Sequence, residues 1–332
     1  MLTIPYESSN FGPSMGPLFQ GVNNLSCTWE EIIWAAITVG RKNWSHVIRF
    51  GEYSRFEILY RLSIVYANLQ QENNSLIRSH AYINLDPSEK SAISYFLGLT
   101  SAKLFAAKLL NVFWLMHIEK YQNIHQMQFW NGRSRPDLFG PNNRREWVVI
   151  EAKGRSNRFD SQTLEKAKYQ VRMLRTIAGQ FPVLRVALES HFRNSTFQVF
   201  WKDPEGFDEN SFDLNIQLCN FIYDYYLPFI VLFNDNKVDV NTINAYQRKY
   251  DVVNIYEADI KIGLDAKLRS LFQESPIDEK QAGQVMEVIF NLPEPVSDGQ
   301  LMIGGDGILV SLGRSWDEEK MKLEPVKRAH KE

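Results

Sequence analysis

The chain has 332 residues, 44% of them apolar and 23% charged, with eight Trp and a formal net charge of −2. That composition excludes a disordered or low-complexity protein, and the length exceeds the roughly 250–300 residues that one core serves, so two or three modules are expected. The total charge does not announce a nucleic-acid binder, but it hides an asymmetry: residues 133–175 hold eleven Lys/Arg and five Asp/Glu, a net of +6 against −8 for the rest.

Residues 1–25 are rich in Gly, Pro, Ser and Asn (Asn10-Phe11-Gly12-Pro13) and predict an irregular arm. Residues 28–40 and 54–70 are apolar at helical spacing, with Phe56, Leu59, Leu62 and Tyr66 expected on one face. Gln70 to Ser75 is a polar break, and 26–85 reads as a helical module. Asp86-Pro87-Ser88-Glu89 starts a helix, with Asp86 as cap and Pro87 in the first turn. The apolar stretch that follows, to about Glu119, predicts a long buried helix with Gly98 as its point of interruption. Gln126 to Trp130 predicts a strand, with Asn131-Gly132 as the turn after it. Trp147 to Ile150 is the strongest strand signal in the chain.

Ser161 to Ala178 predicts a helix capped by Asp160 or Ser161 and stopped by Gly179. Val183 to Leu188 and Thr196 to Trp201 predict two more strands. Asp203-Pro204-Glu205-Gly206 reads as a boundary. Beyond it, 215–226 looks helical, Phe229 to Phe233 strand-like, 252–262 a strand pair, 280–290 a helix, and 301–312 a hairpin around Gly304-Gly305-Asp306-Gly307. Residues 315–332 are charged and predict a surface helix or tail. The expected organisation is an arm and helical module (1–85), an α/β core with a mixed sheet flanked by helices (86–205), and an α+β module (206–332).

Strand parity singles out one constellation. Residues two apart on a strand face the same way, so Val149, Glu151 and Lys153 share one face and Val148, Ile150 and Ala152 the other. Asp137 precedes Glu151 by fourteen residues, and the turn at 140–143 lets 137–139 pair with 147–151. Two close carboxylates repel unless a cation lies between them, and hard oxygen ligands suit Mg²⁺ or Mn²⁺. Such an ion can activate water and stabilise both the transition state and the leaving group of a phosphodiester, while Lys153 adds a point charge.

Pro136-Asp137, followed by an apolar strand ending Glu151-Ala152-Lys153, resembles the signature of the PD-(D/E)XK nuclease superfamily over roughly residues 86–201. The resemblance implies a restriction-endonuclease-like fold and metal-dependent cleavage of DNA. It implies Asp137, Glu151 and the Ala152 carbonyl as metal ligands, with Lys153 as the catalytic lysine. Many members also place a Gln on the next helix, and Gln170 fits that position. Some use an acid ahead of the first core strand, near where Glu119 stands. Superfamily members serve in restriction, repair, recombination and anti-phage defence, and the extra modules fit a bacterial defence effector by analogy.

The basic surroundings agree with a DNA partner. Arg133 and Arg135 flank Asp137, and Arg155 and Arg158 follow Lys153. Lys168, Arg172 and Arg175 are expected on one helix face that tracks phosphates.

Each feature has a plainer reading. Pro-Asp is a common turn dipeptide, Glu-x-Lys is often a surface ion pair, and a basic helix face is usually solvated. Order, spacing and context together favour the nuclease. The alternatives are an inactive nuclease-fold subunit that binds DNA or assembles in a larger complex, and a metal-free scaffold with a surface ion pair at Glu151 and Lys153; a protein partner or a homo-oligomer is compatible with the nuclease reading. His117 and His125 bracket a helix end and are expected to be structural. Glu189 and His191 stand near a strand end beside the site, and a structural role is preferred for both. Gly304 to Gly307 lacks a following Lys-Ser/Thr, so a hairpin turn is expected instead of a phosphate loop. The aromatics from Phe221 to Phe233 are expected in the core. Cys27 and Cys219 match no metal or redox spacing and predict reduced, buried thiols. No signal-peptide pattern is read before Arg41, and no run is read as reaching the ~20 apolar residues of a membrane span, so a cytoplasmic protein without a membrane partner is expected.

Overall fold

The computed structural model describes residues 1–40, 52–121, 134–203, 206–236, 238–272 and 279–316. The strand expected at 126–130, the turn at 131–132, His125, Arg133 and the tail beyond Trp316 lie outside the described residues.

Strands β1 (Leu2–Ser9) and β2 (Gly21–Cys27) open the chain as an antiparallel pair. Helix α1 (Trp29–Thr38) follows, started by a Thr28/Glu31 capping box. Helix α2 (Glu52–Asn68) leads into the hairpin β3 (Leu69–Glu72) and β4 (Ser75–Arg78), then the short α3 (His80–Asn84). Helix α4 (Pro87–Leu110) starts at an Asp86/Glu89 capping box and stops at Asn111, which takes the left-handed conformation at φ 54°. Next come β5 (Met116–His117), α5 (Ile118–Tyr121), β6 (Leu138–Pro141) and β7 (Trp147–Gly154). Helix α6 (Ser161–Arg172) precedes β8 (Leu174–Ile177), β9 (Leu184–Arg193) and β10 (Thr196–Lys202).

Among the described residues, nine strands form one mixed sheet in the order β2-β1-β4-β10-β9-β7-β6-β5, with β3 hairpinned onto β4 and β1 also pairing directly with β10. β7 and β9 are parallel at its centre, with Glu151 opposite Ala187 and Lys153 opposite Glu189. Strands β1 and β2 stand where an irregular arm was expected, because alternation in Leu2-Thr3-Ile4-Pro5-Tyr6 buries Leu2, Ile4 and Tyr6. The hairpin β3–β4 joins the same sheet, while α1 and α2 fall where helices were expected.

Helix α4 covers the face of Ala152, Leu188 and Trp201, where Phe105 meets the Trp201 ring edge-on at 5.6 Å. Helix α6 covers the other face through Leu164 and Ala167 against Ala187 and Phe200. Gly98 does not interrupt α4. It allows close approach: a Cβ there would lie 2.9 Å from Gly154 N, and one on Gly154 would lie 1.6 Å from Ser94 O. By length and composition α4 is apolar enough to cross a membrane, contrary to expectation, but 72% of its apolar window is buried in this fold. The buried face of α2 carries Ile58, Leu62 and Val65, whereas Phe56 is exposed.

Strand β11 (Phe212–Leu214) pairs with β8 in a separate two-stranded sheet. Helix α7 (Leu218–Phe233) runs through the segment expected to be a strand at 229–233, because Tyr225, Tyr226, Phe229 and Phe233 bury together at helical spacing. An antiparallel six-stranded sheet follows in the order β12 (Val240–Ala245), β13 (Arg248–Ile255), β14 (Ile260–Asp265), β17 (Ile308–Leu312), β16 (Leu301–Ile303), β15 (Val296–Ser297). Helices α8 (Ala266–Leu271) and α9 (Glu279–Phe290) lie between its halves in sequence.

The turn between β16 and β17 is the expected hairpin, but it is also a buried junction. Asp306 is fully buried and accepts from Trp34 Nε1 at 3.1 Å and Tyr225 Oη at 2.6 Å. Tyr225 accepts in turn from Lys103 Nζ at 2.9 Å, and Lys103 also donates to the Phe113 carbonyl. α1, α4, α7 and the six-stranded sheet meet at this network. Burial pushes the Lys103 ammonium down to about 7, and Asp306 opposes that shift. Cys27 is buried as expected, whereas Cys219 is half-exposed; both are free thiols.

Candidate active site

β7 is buried on both faces through Ala152 and emerges at Lys153 and Gly154. The antiparallel β6–β7 ladder begins at Leu138 opposite Ile150, so Asp137 stands just outside the last pair and beside Glu151. The Asp137 N–H donates to Glu151 Oε2 at 2.8 Å, and the Ala152 N–H donates to Asp137 Oδ2 at 3.2 Å. Lys153 Nζ pairs with Glu151 Oε1. Glu151 is fully buried, and Lys153 is about a quarter exposed. Burial, with repulsion from Asp137 second, pushes the Glu151 carboxyl up to about 8, against the pull of Lys153. Strand parity and the turn thus bring Asp137, Glu151 and Lys153 together.

Gln170 joins them from α6, donating to the Arg135 carbonyl at 3.0 Å two residues ahead of Asp137. Arg135 itself pairs with Glu119, so that acid neutralises an arginine at the rim.

The basic residues divide. Arg158 is exposed. Arg155 is spent within its own loop: it bonds Asp160 Oδ2 and Thr163 Oγ1 at 2.9 Å each and lies 3.8 Å from Glu189. Lys168 pairs with Glu165 at 3.2 Å. Arg172 is half-buried in the last turn of α6, with Nε lacking a hydrogen-bond partner among the described residues. Arg175 does not share that helix face. The helix ends at Arg172, because Leu174 and Ile177 are drawn into β8, and Arg175 forms a two-pronged pair with Asp213.

Three further residues belong to the neighbourhood. His117, on β5, brings Nε2 to 3.5 Å from Asp137 Oδ1 and to 3.1 Å from the Tyr95 hydroxyl on α4. Glu189, fully buried on β9, is the lateral neighbour of Lys153. Its Oε1 accepts the Asp160 N–H at 2.9 Å, its Oε2 has no partner among the described residues, and burial pushes it up to about 7. A parity count along 183–188 puts Glu189 on the Lys153 face once the two strands are known to be parallel neighbours. His117 left no such signal, since its place depends on a two-residue strand.

Among the described residues, no three His, Cys, Asp or Glu side chains gather as a metal cluster. The donor set is a pair of carboxylates, Asp137 and Glu151, with the Ala152 carbonyl one residue on. That set fits a hard divalent cation that keeps several waters, and a cation would offset the burial, and the Asp137 repulsion second to it, that raise Glu151. Comparisons with protein-family models, curated proteins and solved structures gave no significant match to this chain.

Proposed function

We propose that the protein is a metal-dependent endonuclease that hydrolyses phosphodiester bonds in DNA, in a reducing cytoplasm. The observation that carries this reading is the pairing of partly exposed Asp137 with buried Glu151 at the end of a central parallel strand, with Lys153 on the same face. A Mg²⁺ or Mn²⁺ held by Asp137, Glu151 and the Ala152 carbonyl would supply the Lewis acid and the activated water. Lys153, once released from Glu151, presents its ammonium to the scissile phosphate and neutralises charge that grows in the transition state. Gln170 fixes the chain ahead of Asp137 and so holds the first carboxylate in place. A bacterial defence role agrees with a nuclease core joined to a second sheet, by analogy alone.

The test is cleavage of plasmid, linear and single-stranded DNA, and of RNA, with Mg²⁺ or Mn²⁺. Wild type is compared with Asp137→Ala, Glu151→Ala and Lys153→Ala. Loss of cleavage in all three variants is expected. Equal activity in all four proteins would overturn the site, and salt-sensitive binding without cleavage in any would favour a non-cleaving DNA-binding subunit.

A further inference from the structure

The sheet face that carries Glu151 and Lys153 continues past α6 into an open cleft of about 610 Å³. Its position follows from register: Lys153 lies opposite Glu189, and Glu189 opposite Phe200 on β10. At about 4.8 Å per strand, Phe200 is only ~10 Å from Lys153. Phe159 stacks on Phe200, with ring centroids 4.8 Å apart and planes at 27°, yet Phe159 remains 37% exposed. It is the upper ring of a two-ring platform. Its loop is pinned across β9 by Arg155 N–H to Ser190 O at 2.8 Å, Phe192 N–H to Asn157 O at 3.1 Å, and Asp160 N–H to Glu189.

Exposed Arg158 and Arg193 line the cleft, and Gln198 lies on its floor beside His191. His191 is 6% exposed, and its Nδ1 has no partner among the described residues. Burial lowers the His191 pKa, so the ring is a neutral polar group there. Among the described residues, Glu7 on β1 is the one acid in the lining, against Arg158 and Arg193.

We propose that this cleft holds one unpaired nucleotide of the strand whose neighbouring phosphodiester lies at Lys153. The base stacks on Phe159, the phosphate lies against Arg158 and Arg193, and the base edge meets Gln198. Aromatic platforms with flanking arginines bind single strands in this way, and a cleft of this size admits a nucleotide but not a duplex. The proposal rests on the nuclease reading and adds a preference for single-stranded or splayed substrate.

The test uses the full chain carrying Lys153→Ala, with Mg²⁺, so that strands are held but not cut. Anisotropy of a short fluorescent oligothymidylate is compared with that of a duplex of equal length. Phe159→Ala is expected to weaken single-strand binding about tenfold while leaving duplex binding within twofold, with recovery in Phe159→Trp. Arg193→Ala is expected to reduce the salt slope by about one phosphate contact. Unchanged melting temperatures show that the variants are folded, since Phe159 and Arg193 are surface residues. Equal single-strand affinity in Phe159→Ala and its parent, with wild type still cleaving DNA, overturns the cleft alone. A wild type that neither binds nor cleaves DNA overturns the nuclease reading and the cleft with it.

Discussion

Asp137 and Glu151 hold each other through reciprocal bonds: the Asp137 N–H donates to the Glu151 carboxylate, and the N–H next to Glu151 donates to the Asp137 carboxylate. The arrangement fixes two acids side by side, and burial of Glu151, with Asp137 beside it, raises the Glu151 carboxyl. A carboxyl whose folded pKa, about 8, exceeds its ordinary 4.5 binds its proton more tightly in the folded chain. Stability is then fullest below about pH 4.5 and falls as pH rises toward 8. Without divalent cation, Glu151→Gln is expected to melt ~5 °C above wild type near pH 8, with the gap closing near pH 4.5. Thermal scans at both pH values check this, and equal melting at the higher pH would contradict the strained acid pair.

Cation binding is expected to reverse that penalty. Mn²⁺ at about 100 times its Kd stabilises a protein by ~2.7 kcal/mol if it binds only the folded state. For a chain of this size that is several degrees in Tm. Wild type and Lys153→Ala are expected to show the rise, and the Asp137→Asn/Glu151→Gln double variant to show none. A rise of equal size in the double variant would place the ion elsewhere.

Much of this site was legible because it is local. Asp137, the turn and the strand to Lys153 lie within seventeen residues, and period-2 alternation decides which of them face together. The fold around it was less legible. β1 and β2 looked like an arm because Pro5, Asn24 and Ser26 fall on the outward side, and only their place in the nine-stranded sheet explains the alternating burial. Helix propensity carried 161–178 past Arg172, whereas packing against Leu214 turns that end into β8. The basic helix face was partly an artefact of that overextension, with Arg175 committed to Asp213. Glu189 and His191 gain their meaning from the parallel β7–β9 register, which no local pattern encodes.

Close approach between α4 and β7 gives a steric prediction. A Cβ on Gly154 would overlap the Ser94 carbonyl of α4, and backbone atoms on both sides leave no flexible group to yield. Gly154→Ala is expected to push α4 from β7, cost on the order of 3 kcal/mol, and remove cleavage by displacing Lys153. Gly98→Ala faces a contact of 2.9 Å and is expected to cost less. Urea unfolding with cleavage assays on the folded fraction checks the order of the two. A stable, active Gly154→Ala protein would contradict the packing.

The second prediction from packing concerns Lys103 and Asp306, which never touch directly but share the Tyr225 hydroxyl. Removing one member of a buried charged network leaves the other without compensation, at a cost of about 3–5 kcal/mol. Lys103→Met is therefore expected to be strongly destabilising on its own. Asp306→Asn should behave likewise, since Lys103 then loses the charge that opposes its burial. Together the two substitutions remove both charges; the Asn oxygen keeps the acceptor for Trp34, and its NH2 replaces the oxygen that accepted from Tyr225, whose hydroxyl still donates to the Phe113 carbonyl. The double variant is accordingly expected to lose less than the sum of the singles, by at least ~1 kcal/mol in a double-mutant cycle. Strict additivity would mean that the two charges do not sense each other across Tyr225. Because the network joins the six-stranded sheet to α1 and α4 and lies apart from Lys153, cleavage per folded molecule should stay unchanged while the denaturation midpoint moves.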